Sequence, residues 1–104
     1  LNYVETLIRL IDQKVPTQVM LRDGSVIRGF WPHDIIARGD LAAGVIVVRG
    51  LVAASPEAHE DRVIPLCDIG GVFAEKAPIT TRPETAALSG KPIPRGWTRL
   101  SHLS

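Results

Sequence analysis

On either side of Asp23-Gly24 the chain alternates apolar and polar residues, and this pattern restricts the fold more than any other feature. From Thr17 onward, Val19 and Leu21 alternate with Gln18, Met20 and Arg22. A period of two sends successive side chains to opposite faces of a strand. Asp-Gly is a strong short-range hairpin signal, because both residues can take positive φ. The return strand, Ser25 to Trp31, sets Ile27, Gly29 and Trp31 on one face and is predicted to stop at Pro32. Gly29 in mid-strand signals sharp bending or close backbone approach, as a small barrel needs.

Residues 2–13 predict a short amphipathic helix. Val4, Leu7, Ile8 and Ile11 fall on one face of a 3.6-residue period, and Asn2 with Glu5 fits a capping box. Pro16 ends the helix by disfavouring α geometry at Val15. Beyond the hairpin, Gly39-Asp40 and Gly44 mark turns, and Val45 to Val48 is a β-branched run predicting a buried strand. Residues 55–61 predict an acidic loop, followed by a fourth strand at Arg62–Leu66 and a fifth at Ile69–Ala74. Pro65 assigns the fourth strand to an edge or a bulge.

The 104 residues suit one domain, and a barrel of roughly 70 residues lies near the lower limit for independent stability. Self-association would relieve that limit. Residues 1–75 hold seven Lys/Arg and ten Asp/Glu, a net of −3, whereas residues 76–104 hold five Lys/Arg and one acid, a net of +4. The expected organisation is a mildly acidic barrel domain over 1–76 and a Pro-rich basic tail over 77–104. That tail lacks the apolar density for its own core and is expected to be disordered or to dock on a protein partner through Ile79, Leu88, Ile93, Trp97 or Leu100. No apolar run approaches the ~18–20 residues that span a bilayer, and Glu5, Arg9 and Asp12 interrupt any leader-like stretch. No membrane contact is expected, and a cytoplasmic location is. The single Cys67 excludes an intrachain disulfide and fits a reducing compartment.

Catalytic chemistry finds little footing. His33 and Asp34 are adjacent in a strand, so their side chains should point to opposite faces. Cys67 has no neighbouring cation to activate it and is expected to be a small buried filler. No metal-ligand spacing appears among His33, His59, Cys67 and His102, and the Glu57, His59, Glu60, Asp61 cluster is expected to be a solvated loop. Gly70-Gly71 lacks the Lys and Ser/Thr of a phosphate loop. The chain is therefore expected to be no enzyme and to carry no cofactor or metal. Arg49-Gly50 after a strand could pair with phosphate or stack on a base, with Phe30 and Trp31 as stacking faces; core packing of Trp31 is the competing assignment.

The order helix, Lys14-Val15-Pro16, strand, Asp23-Gly24, strand with Gly29 resembles the Sm-like family, the Hfq type in particular. The residues carrying the likeness are Leu7, Leu10, Val19, Leu21, Gly24, Ile27 and Gly29. They are followed by His33-Asp34 at the family's aromatic-Asp position and by Val63 to Ile69 with Val72 as a closing strand pair. The resemblance implies a mostly β fold, with an N-terminal helix on a strongly bent five-stranded small barrel. It also implies copies joined fourth strand to fifth in a homo-oligomeric ring, with single-stranded RNA as the candidate ligand. By that analogy His33, Asp34, Arg49 and Gly50 would contact RNA, and Val63, Ile64, Leu66, Ile69 and Val72 would form the subunit interface. The chain departs from the pattern in reading Ile35, Ile36, Ala37, Arg38 where the family has an Asn, and Leu66-Cys67 where the Hfq type has Lys-His. It is also similar to PRC-barrel domains through Ile64-Pro65-Leu66-Cys67-Asp68-Ile69. That likeness implies a structural docking subunit of a larger complex, with no nucleic-acid binding.

Overall fold

Helix α1 (Tyr3–Gln13) follows its periodicity, with Leu7, Leu10 and Ile11 buried and Val4 and Ile8 packed beside them. The computed structural model describes residues 3–39, 44–55, 58–75 and 92–102, so the Asn2 cap, Asp40, Glu57, Ile79 and Leu88 lie outside the described residues. The helix closes in a Schellman arrangement. Lys14 sits at φ 58° with its N–H on the Ile11 carbonyl at 3.1 Å, and the Val15 N–H reaches the Leu10 carbonyl at 3.4 Å. A left-handed lysine is strained by about 1 kcal/mol or more. Lys14→Gly is therefore expected to stabilise the chain by about 0.5–1 kcal/mol, after allowing for the freer unfolded glycine. A thermal melt should show this as a rise of a few degrees, and a fall would contradict the cap.

Six strands follow: β1 (Thr17–Leu21), β2 (Val26–Arg38), β3 (Val45–Ser55), β4 (Ala58–Pro65), β5 (Ile69–Ala74) and β6 (Trp97–His102), with a 3₁₀ turn at Leu66–Asp68 before β5. All pairings are antiparallel, in the order β4-β3-β2-β1-β5, and β6 also pairs with β2. The fold is thus mostly β, one helix followed by an antiparallel sheet, with a sixth strand where five were expected. Phe30, Trp31, Ile35, Val48, Leu51, Ile64 and Ile69 pack with the buried face of α1 to form the core.

The hairpin forms, but with a different turn. Gly24 takes φ 93° while Asp23 stays at negative φ, and the loop is Arg22-Asp23-Gly24. The Gly24 N–H bonds to the Leu21 carbonyl at 3.1 Å, and the Leu21 N–H bonds to the Ser25 carbonyl at 2.8 Å. This is a three-residue loop ending in a left-handed glycine. The Asp23 carboxylate accepts the Ser25 N–H at 2.8 Å, a bond that lowers its pKa below the ordinary carboxylate value.

Strand β2 does not stop at Pro32 but continues to Arg38. On one edge its partner β1 reaches only Phe30 and its partner β6 begins at Asp34, so Pro32 lies in the gap between two partners. Its missing N–H therefore removes no ladder bond on that edge. On the other edge Pro32 faces Gly50, and the register shifts between Pro32 and Asp34. Gly29 has φ 66°, and its N–H reaches the Glu75 carboxylate at 3.4 Å. Glu75 is itself almost fully buried and lies 3.6 Å from Arg28.

The acidic stretch predicted as a loop over 55–61 is instead part of a hairpin. Strand β3 runs to Ser55, and β4 starts at Ala58, earlier than the predicted Arg62. Pro65 closes β4, an outer strand of the sheet, as its edge assignment requires. Cys67 is exposed on the 3₁₀ turn rather than a buried filler. It shares the outward parity of Val63 in β4, on the face opposite buried Ile64.

Candidate functional site

Once Arg38 pairs with Val45, counting back along the ladder sets Asp34 opposite Arg49. Their side chains meet. The Arg49 Nε donates to Asp34 Oδ1 at 2.8 Å, and Nη2 donates to Oδ2, a bidentate fork. The Asp34 side chain is 2% exposed and that of Arg49 12%. Both are thus withdrawn from water, a state stable only with good geometry and with every lone pair served.

Two more groups converge on the carboxylate. Arg99 of β6 brings its Nε to 3.6 Å from Oδ2, and His33 Nδ1 lies 3.4 Å from Oδ1. The His33 contact contradicts the expectation of opposite faces. The register shift between Pro32 and Asp34 leaves His33 out of the ladder, so two adjacent residues turn the same way. The third arm of Arg49, Nη1, donates to the Pro92 carbonyl at 2.8 Å, just ahead of β6. The bond to Asp34 raises the Arg49 pKa above its ordinary value, against the opposing effect of burial and with further help from the Asp34 and Asp61 charges. The stabilisation is therefore fully present through neutral and moderately alkaline pH, and is lost only in strong alkali as pH climbs through the raised folded-state value.

Gly50 has a packing role. A Cβ there would collide with the Trp31 carbonyl oxygen and come within 2.7 Å of the Phe30 ring. Phe30 and Trp31 are themselves core residues, with their rings turned inward rather than available for base stacking. A depression of about 210 Å³ lies beside the cluster, lined by His33, Arg49, Asp61, Arg62, Val63 and Pro92. Its arginines are offset by Asp61 and by the Asp34 carboxylate beneath, so it is not a concentrated anion cradle. Among the described residues no group of three or more His, Cys, Asp or Glu is placed to hold a metal, and no helix is long and apolar enough to cross a membrane.

Of the residues expected at RNA, the structure thus brings His33, Asp34 and Arg49 together around one buried carboxylate, with Gly50 next to them in the packing. Of the expected interface residues, Ile64 and Ile69 are in the core and Val72 is buried at its margin. Leu66 is partly buried, while Val63 is 55% exposed. Sequence reasoning missed Arg99 beside the buried Asp34 carboxylate, Pro92 as the exposed acceptor for Arg49, and Glu75 as the acceptor in a part-buried bond from the Gly29 N–H. It also missed Phe73, which stands 53% exposed on β5.

Comparison with protein-family models gives no match, and neither curated proteins nor solved structures give one.

Proposed function

We propose that this chain is a non-enzymatic assembly module of Sm-like kind, in which β5 of one copy pairs with β4 of the next. The observation carrying the proposal is the outer edge of β5. Gly70 to Ala74 contains no charge and no proline, and Phe73 is exposed on it. Natural sheets guard open edges with charge, proline or cover. Among the described residues the Tyr3 hydroxyl donates to the Gly70 carbonyl at 2.7 Å, and the uncharged strand beyond it, beside an exposed aromatic, is a pairing surface. Met20 and Val26, both exposed, lie opposite one another on β1 and β2, with Met20 also opposite Gly71, and they extend the apolar surface inward from β5. Strand β4 is the other outer strand; it carries Glu60, Asp61 and Arg62 and ends in Pro65, so the uncharged stretch it offers for pairing is Val63-Ile64. Outer positions for the fourth and fifth strands are what the Sm-like resemblance implies.

In this reading the Asp34–Arg49 pair holds the fold and does not contact RNA. Freeing Arg49 for a phosphate would strand a buried carboxylate, at a cost of several kcal/mol. The mass in solution tests the assembly, for example by light scattering. The expected value is a fixed multiple of 11.3 kDa, unchanged on dilution into the low micromolar range. A species of 11.3 kDa at all concentrations would overturn the proposal.

A further inference from the structure

Beyond self-assembly, the second half of β2 presents a different kind of surface. Strand β1 covers the β2 edge only as far as Phe30, which leaves residues 34–38 of that edge to another strand. Strand β6 fills it, with Ala37 opposite Thr98 and Ile36 opposite Arg99. Yet β6 places none of Trp97, Thr98, Arg99 or Leu100 among the buried core side chains, and Leu100 is 38% exposed. Among the described contacts it is held by backbone pairing, by the Arg99–Asp34 contact and by the Arg49 Nη1 bond to Pro92 at the approach, with a small contact against α1. A strand so attached can leave without opening the core. Sixteen residues separate Glu75 from Pro92 in the sequence.

We propose that the 34–38 edge of β2, with the Asp34–Arg49 pair at its end, is a docking slot for an extended basic peptide, filled in cis by β6. An exposed strand edge offers alternating N–H and C=O groups, which suit an extended polypeptide. The charge pair supplies the selectivity: Asp34 receives an arginine, and the outer arm of Arg49 receives a backbone carbonyl ahead of the docked strand. The partner is therefore a protein segment that adds a strand and brings a guanidinium to Asp34, as β6 does. Tethering gives the cis segment an effective concentration on the order of mM, so a peptide in trans gains access only when β6 is released.

The full chain carrying Thr98→Pro and Arg99→Pro tests this. Adjacent prolines remove a ladder donor whichever residue faces β2, and the second deletes the guanidinium. The probe is a synthetic peptide of residues 92–102. It should bind the double variant at least about tenfold more tightly than the unaltered chain, and an Arg99→Ala peptide should bind about fivefold more weakly than the native one. The variant should keep the near-ultraviolet circular dichroism arising from the buried Trp31. Failure of the peptide to bind the variant, or equal binding to both chains, would overturn the proposal, as would indifference to Arg99→Ala. Collapse of the tertiary signal would overturn its premise that β6 is separable. Capture of an oligonucleotide in place of the peptide would assign the slot to another class of ligand and overturn the peptide assignment.

Discussion

Replacing Arg49 with methionine should destabilise the chain by about 3–5 kcal/mol, because it strands the Asp34 carboxylate in a site that is 2% exposed. The lower figure applies if Arg99, 3.6 Å away, closes on the carboxylate. Removing both charges should be much less costly. The double variant Asp34→Leu with Arg49→Met removes both members of the buried pair, with only the partly exposed Arg99 left beside them. It should recover most of the loss, since apolar replacements of buried ion pairs are often neutral. Denaturant unfolding of the two single variants and the double variant measures the coupling. A single variant within about 1 kcal/mol of the parent would contradict the structural role given to the pair.

Gly50→Ala should be nearly as damaging, for steric reasons alone. The added methyl meets the Trp31 carbonyl oxygen, which belongs to the paired β2 backbone and cannot swing aside, and the Phe30 ring at 2.7 Å. Overpacking of this kind costs about 3 kcal/mol, which for a domain of this size lowers the melting temperature by more than about 10 °C. Gly70→Ala is the matched control. Its Cβ would lie 3.6 Å from the Met20 carbonyl oxygen, an ordinary contact, and the melting temperature should move little. Comparable losses at the two glycines would contradict this packing account.

These two residues also show how far the sequence could be read. In the sequence Arg49 and Gly50 form an Arg-Gly pair after a strand and Asp34 stands beside His33, a pattern that points to ligand contacts rather than to a buried pair. Their mutual partnership follows from hairpin register, which becomes countable only once the turn between β2 and β3 is placed. The local elements were the most legible. The helix face, the hairpin at Asp23-Gly24 and the strand at Ile69–Ala74 depend on short-range periodicity and turn chemistry. What escaped depended on tertiary context. Pro32 reads as a strand stop, yet it falls where one edge of β2 changes partners. The bulge that turns His33 toward Asp34 has no sequence mark. Strand β6 follows a Pro-rich stretch with too few apolar residues to predict burial, and it pairs by backbone without entering the core.

The Asp23-Gly24 hairpin therefore fixes the start of the sheet, while the outer strands at its far ends carry the proposed function. Two single-cysteine chains test that claim most directly, Val63→Cys and Phe73→Cys, each with Cys67→Ser to remove the exposed native thiol. Each is treated with a short bis-maleimide cross-linker, alone and after mixing through mild denaturant. Pairing of β4 with β5 predicts a cross-linked dimer in the mixture and none in either chain alone. Cross-linking within one chain type, or none in the mixture, would contradict it.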